Sequence, residues 1–330
     1  MNFDSSFIGL KPHETIASGI PQLDAVLGGG MLIGSLILLS EDELGTYSDM
    51  LLKVFLAQGI VREDEVLLAS CDTSPRSFMR KLPQKTRKEV SITRQVPTGP
   101  LQIAWRYENS PATSTLDGTK SSSDSFSFRG TIPEEIVQSS VPHYWSSKEN
   151  PETYVHLLDF IYKKLICGQN LNYQTPKKQS KAVLRIGIHR LGSLFWKQPQ
   201  RQLPRFLYSL RGMLHHSRSV AVVTFPKHLI QDSEIISRCE QLCDSIIELE
   251  SFGTDNNPLF KELDGYIRFN KMCTLNSLCP LMKDPDDWAF RLSVKKLLIE
   301  KLRLPPEDAK STQREKQTKT VCYQTKNMDF

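Results

Sequence analysis

The residues of this chain that come nearest to a chemical device are Glu41 to Ser48, which read EDELGTYS between an apolar run and a helical pattern. A loop in that setting grips phosphate when it reads G-x-x-x-x-G-K-[ST]: glycines let the backbone wrap the phosphates, a lysine meets their charge and a hydroxyl holds magnesium. Laid on that frame, Glu41 stands at the first glycine, Thr46 at the second and Tyr47 at the lysine, and only Ser48 keeps the required type. Glu41, Asp42 and Glu43 also put three carboxylates where a triphosphate would lie. Like charges about 5 Å apart at an effective dielectric of ~20 repel by roughly 3 kcal/mol per pair. Phosphate binding is thus opposed as well as weakened. The same residues also fit an ordinary β-loop-α unit whose carboxylates favour the positive end of the next helix.

A second part of nucleotide chemistry is an aspartate at the end of a buried strand, where it holds magnesium. The strand from Ala182 to Ile188 ends in His189 instead, with no acidic neighbour in sequence. That imidazole reads as a strand-end residue with a satisfied hydrogen bond. One missing element is compatible with drift in an active enzyme, whereas two argue that hydrolysis was abandoned. The chain has no G-x-S-x-G and no H-E-x-x-H, the signatures of acyl-transfer and zinc-protease chemistry. Its seven cysteines contain no C-x-x-C pair, so reduced thiols are expected and Cys239 and Cys243 read as packing residues. Asp286 and Asp287 read as the start of a helix from Trp288 to Leu302 with Lys295, Lys296, Lys301 and Arg303 on its solvated face. No catalytic residue, metal ligand or cofactor is assigned.

The elements that must position these residues follow from periodicity. At 330 residues, 39% hydrophobic and 24% charged, the chain can bury a large core, and a net charge of +5 is too small an excess to mark a nucleic-acid binder. The N-terminal residues lack a signal-peptide pattern, and the longest apolar run, Met31 to Leu39, is far short of the ~20 residues that span a bilayer, so no membrane role is expected. Strands are expected at Gly34 to Ser40, Val66 to Cys71, Gln102 to Tyr107, Ala182 to Ile188 and Ser219 to Phe225. Ile246 to Leu249 and Tyr266 to Phe269 are expected to extend the sheet as antiparallel edge strands. Helical spacing brings Met50, Leu51, Val54 and Phe55 to one face, and Val155, Leu158, Ile161, Tyr162, Leu165 and Ile166 to one face of Glu152 to Cys167. Leu203 to His216 and Glu234 to Leu242 are further helices. Alternation of β and α units predicts an α/β, doubly wound, mostly parallel sheet with helices on both faces. It forms one domain over residues 13–307, with tails at 1–12 and 308–330 and a disordered Ser-rich insertion at 109–130.

The run SGIPQLDAVLGGG from Ser18 to Gly30, followed by GSLILL, resembles the opening of RecA-like ATPases of the recombinase and circadian-clock type. Seven further blocks narrow the resemblance: FLAQGIV, IAWRY, LRIGIHRLGSLFW, FLYSLRGML, HLIQ, LESF and the final MDF, in order across most of the chain. Together they resemble the fourth-subunit family of the Elongator complex, which is RecA-like without working Walker motifs. The resemblance implies a noncatalytic subunit of a six-membered ring built with Elongator's fifth and sixth subunits. That ring serves the catalytic subcomplex by binding tRNA during wobble-uridine modification, in cytoplasm and nucleus. In the RecA-like class the loops after the second and third core strands face the ring axis. Here they carry Arg190, Lys197, Arg201, Arg205 and Lys227, with Phe195 and Trp196 interleaved. Cations neutralise phosphates and exposed aromatics stack on unpaired bases, but the same residue types enrich protein interfaces and cores. Two other classes remain open at this point: a RecA-like nucleic-acid-binding ATPase with an unconventional site, and a DNA-binding recombination mediator.

Overall fold

A short run that is apolar at both odd and even positions can be buried only if both faces of its strand are covered. The computed structural model bears this out for Leu36–Ser40, all five residues of which are buried. The structure describes residues 14–86, 124–146, 153–168, 170, 183–253, 263–273, 287–293 and 296–302. The two expected tails, the strand at Gln102 to Tyr107 and most of the Ser-rich insertion fall outside these residues.

The chain begins with β1 (Thr15–Ile16), α1 (Pro21–Val26), β2 (Met31–Leu32), β3 (Leu36–Ser40), α2 (Thr46–Val61), β4 (Glu65–Ser70) and α3 (Pro75–Met79). It continues with β5 (Pro83–Lys85), β6 (Phe126–Thr131), α4 (Glu134–Ser139), β7 (His143–Trp145), α5 (Thr153–Cys167) and β8 (Leu184–His189). Then come α6 (Leu203–His215), β9 (Ser219–Phe225), α7 (Ser233–Leu242) and β10 (Ser245–Ser251), followed by β11 (Gly265–Lys271), β12 (Trp288–Ser293) and β13 (Lys296–Lys301). Among the described residues nine strands form the main sheet in the order β13-β12-β11-β10-β3-β9-β8-β4-β7. From β10 to β7 every pairing is parallel, and β11, β12 and β13 continue antiparallel. This is the expected class, with one strand, β9, between the strand that feeds the acidic loop and the strand that ends in His189, but Ile246 to Leu249, expected as an antiparallel edge strand, lies inside the sheet as part of β10, parallel to β3.

Alternate residues of β3 feed two cores. Ile37 and Leu39 face the layer of α1, α2 and the C-terminal strands. Leu36 and Leu38 face α5, α6 and α7. Asp244, 3% exposed by its side chain, ties the layers together. It accepts from the backbone N–H of Leu36 (2.9 Å) and from Arg211 Nε (2.9 Å), and stands 3.3 Å from His215 Nε2. Arg185 crosses the other core with a 1% exposed side chain. It donates to Asp64 (2.7 Å) and to the carbonyls of Ala17 (2.8 Å) and Phe55 (3.4 Å). Its aliphatic stem passes Gly59, where an added Cβ would meet Arg185 Cδ at 2.7 Å.

Four further sequence expectations are corrected. Trp288 to Leu302 is not a helix but the hairpin β12–β13, in which Phe290 pairs with Ile299 and Leu292 with Leu297. Leu297 and Ile299 are buried two residues apart, a strand period that the helix-favouring Leu, Lys and Glu of the segment disguise. Residues 126–130, assigned to the insertion, belong to β6, which pairs with β5. Helix α2 is buried almost all round, not on one face, because β5 lies over its outer side. In α5 the buried side is Tyr154, Leu157, Ile161 and Leu165, whereas Val155, Tyr162 and Ile166 are exposed. Tyr154 decides that rotation by packing its ring on Trp196 and Phe206.

Candidate functional site

Strand β3 delivers Glu41 to the carboxyl edge of the sheet, where doubly wound proteins bind ligands. Gly45, at φ 65°, turns the chain into α2. The backbone N–H groups at that helix start are the donors that cradle phosphate in an active loop. Here an internal carboxylate fills them. Asp42, 2% exposed, accepts from Thr46 N with Oδ2 at 3.0 Å, and from Tyr47 N (3.2 Å) and Ser48 N (3.1 Å) with Oδ1. The sequence allows Asp42 two roles, a charge that repels phosphate or a carboxylate that favours the positive end of the next helix, and these bonds realise the second. Asp42 lies three residues ahead of the cap position, outside the usual capping spacing, so the sequence did not show that it would take three amides.

Tyr47, at the lysine position, turns away from the loop. Its ring lies 4.6 Å from that of Phe290 in β12, and burial together with a hydrogen bond to Asp264 raises its phenol. Ser48 is fully buried, and its Oγ has no hydrogen-bond partner. Restoring the lysine alone, by Tyr47→Lys, is expected to yield no measurable ATP binding, because Asp42 still holds the amides. Titration with a fluorescent ATP analogue checks this, and micromolar binding would contradict it.

Glu41 is buried, and desolvation raises its carboxyl to about 7, opposed by a hydrogen bond to Thr224 and by the Arg190 charge. Its folded pKa stands above the unfolded value near ~4.3, so the native state holds the extra proton. The resulting stabilisation is complete below the unfolded pKa and is lost as pH rises through about 7. The Glu41→Gln variant should therefore gain on wild type by about 3 kcal/mol between pH 4.5 and pH 8. Urea titrations across that range test it, and parallel pH profiles would refute it.

Behind the loop, His189 is 1% exposed. Its Nε2 stands 2.8 Å from Asp49 Oδ1 on α2, and its Nδ1 stands 3.0 Å from Ser70 Oγ on β4. The hydrogen bond expected for this imidazole is present, but with an acidic partner 140 residues away that sequence adjacency could not reveal. Ser, His and Asp in a row resemble a hydrolytic triad, yet the Ser70 hydroxyl belongs to a fully buried residue. No substrate reaches it, and the three residues pin α2, β8 and β4 together.

The five basic candidates separate into two groups. Arg190 turns back to the loop, with Nε 3.8 Å from Glu41 and Nη1 3.8 Å from Asp72. Lys227 bridges Glu240 (3.2 Å) and Glu248 (3.3 Å). Lys197, Arg201 and Arg205 are exposed on consecutive turns after β8: Leu194–Trp196, Gln200–Gln202 and the start of α6. A bond of 3.4 Å from Gln200 to the Leu229 carbonyl joins this rim to the turn Lys227–Leu229. Leu194 is 83% exposed, Phe195 60% and Leu229 46%. Trp196 is core, stacked 5.8 Å from Trp145. Among the described residues no group of His, Cys, Asp and Glu could hold a metal ion, and no helix is long and apolar enough to cross a membrane.

The fold is that of the RecA-like class. The KaiC-like protein of Pyrococcus horikoshii superposes with a TM-score of 0.55 at 14% identity, covering 88% of this chain and 100% of that one. Within that class the chain belongs to the PAXNEB protein family, whose model matches residues 9–330. Curated relatives carry the name Elongator complex protein 4. The Xenopus laevis protein is 36% identical over 328 residues, covering 88% of this chain and 80% of the relative. The human protein is 34% identical, covering 88% and 77%. The Saccharomyces cerevisiae protein is 23% identical, covering 94% and 79%. The family resemblance read from the sequence blocks is thereby confirmed, and with it an involvement in Elongator.

Proposed function

We propose that this chain is a noncatalytic subunit of an Elongator accessory ring, assembled with the fifth and sixth Elongator subunits and acting beside the catalytic subcomplex. Its work there is to support tRNA binding during wobble-uridine modification, in cytoplasm and nucleus. The observation that carries the noncatalytic part is Asp42: its carboxylate takes the helix-start amides that a nucleotide phosphate would need. Support for the RNA part comes from the exposed Lys197, Arg201 and Arg205 beside Phe195, residue types that meet phosphates and unpaired bases. The ring part rests on the family, since a RecA-like fold without its phosphate grip still has subunit-packing faces.

The test is to prepare the chain alone and with its two partners, then measure particle mass, tRNA binding and ATP hydrolysis in each sample. The expected result is an inert single chain, and a mixture whose mass fits two copies of each subunit and which retains tRNA. ATP hydrolysis by the lone chain would overturn the noncatalytic reading. A preference of the mixture for single-stranded DNA over tRNA would turn the assignment toward a recombination mediator.

A further inference from the structure

Arg190 occupies the left-handed backbone region, at φ 50°, which a non-glycine residue enters only at some cost. That turn at the end of β8 directs its side chain back over the acidic loop. The guanidinium lies so close to Gly45 that an added Cβ there would come within 2.6 Å of Nη2. Its carboxylate partners, Glu41 and Asp72, both stand at 3.8 Å, a charge contact beyond hydrogen-bond length. Arg190 Nε and Glu41 Oε1 are both buried without a hydrogen-bond partner. The side chain is therefore held in the loop by charge more than by directed bonds. Glu41 faces Asp42 on its own loop, Asp49 from α2, Thr224 from β9 and Arg190 from the β8 turn. Of these, Arg190 alone is a cation, so the charge on Glu41 and the position of Arg190 are coupled.

We propose that Arg190 is a latch: a charged Glu41 holds it in the loop, and protonation of Glu41 lets it swing out to the surface. Released, it adds a cation to the turns that carry Lys197, Arg201 and Arg205. With Glu41 neutral, Asp72 at 3.8 Å is the one carboxylate left on the guanidinium, where the charged loop supplied two. Burial brings Glu41 to about 7, so the latch changes state close to neutral pH. The effect on RNA rests on the tRNA-binding reading above, whereas the movement of Arg190 does not.

The full chain is treated briefly with phenylglyoxal, an arginine-selective reagent, across a pH series from 6 to 8.5, and modification of each arginine is read by peptide mass spectrometry. Dividing Arg190 by the exposed Arg201 cancels the reagent's own pH dependence. The ratio should rise about tenfold as pH falls through 7, for a latch contact of about 1.4 kcal/mol. In Glu41→Gln it should stay high at every pH. A ratio that does not change in wild type, or that stays low throughout in a folded Glu41→Gln chain, overturns the proposal. If the variant unfolds, the wild-type series decides. Affinity for tRNA on the same samples separates the two readings. Opening without any gain in affinity sinks the RNA role and leaves the latch, and affinity that rises with no opening sinks the latch.

Discussion

Replacing Arg185 with methionine should cost about 3–5 kcal/mol, because it leaves Asp64 and the Ala17 carbonyl without their charged donor. In a chain of this size that lowers the melting temperature by roughly 4–8 °C. Burial works against the charge of this guanidinium and Asp64 works for it. The side chain, carried by β8, is held because the segment at Ala17, α2 at Phe55 and the α2–β4 turn at Asp64 all present acceptors to one group. Thermal unfolding of Arg185→Met, Asp64→Asn and the double variant forms the test. The double variant should lose less than the sum of the singles, since each single leaves the other partner stranded. A loss under about 1 kcal/mol for Arg185→Met would show that solvent replaces the contacts freely.

The second large effect is expected at Asp42. Asp42→Ala removes a nearly inaccessible carboxylate from three amides, and should cost about 2–3 kcal/mol, toward the upper end of the range for caps and charge-assisted bonds. Asp42→Asn keeps one acceptor oxygen and should cost about half as much. The loss should be local before it is global: amide hydrogen exchange should speed up at Thr46, Tyr47 and Ser48 while the β3 and β9 amides keep their protection. Unchanged exchange at these three amides in Asp42→Ala would mean that they find other acceptors, and the filled-cradle account would fall.

Much of this molecule can be read from its sequence, and the reasons differ by element. β3, β8 and β9 are buried on both faces, so they appear as short unbroken apolar runs, which few other structures produce. The departures of Glu41 to Ser48 from a phosphate-gripping loop are legible because they are changes of residue type at fixed positions. What fills the vacated place is another matter. Arg190 and the Asp49–His189–Ser70 row depend on side chains brought together across as many as 149 positions, counted from Glu41 to Arg190, and no local pattern encodes such meetings. The C-terminal hairpin was misread because Leu, Lys and Glu suit a helix, while the pairing that makes it a strand comes from β11. The face of α5 differs by a fraction of a turn from the expected one because its sequence offers two apolar stripes, and the packing of Tyr154 on Trp196 and Phe206 favours one of them.

Tyr47 stands where an active loop keeps its lysine, and its ring is seated on Phe290 of the C-terminal hairpin. A lineage that acquired a lysine here by a single substitution would lose this aromatic seat before Asp42 had vacated the amides. A lineage that first removed Asp42 would uncap α2 with no ligand to take its place. Each single step lowers stability with no compensating activity, so selection acting one substitution at a time meets a barrier whichever change comes first. The loop is thus entrenched in its present chemistry by the packing of a strand pair more than 200 residues downstream, counted from Tyr47 to Phe290.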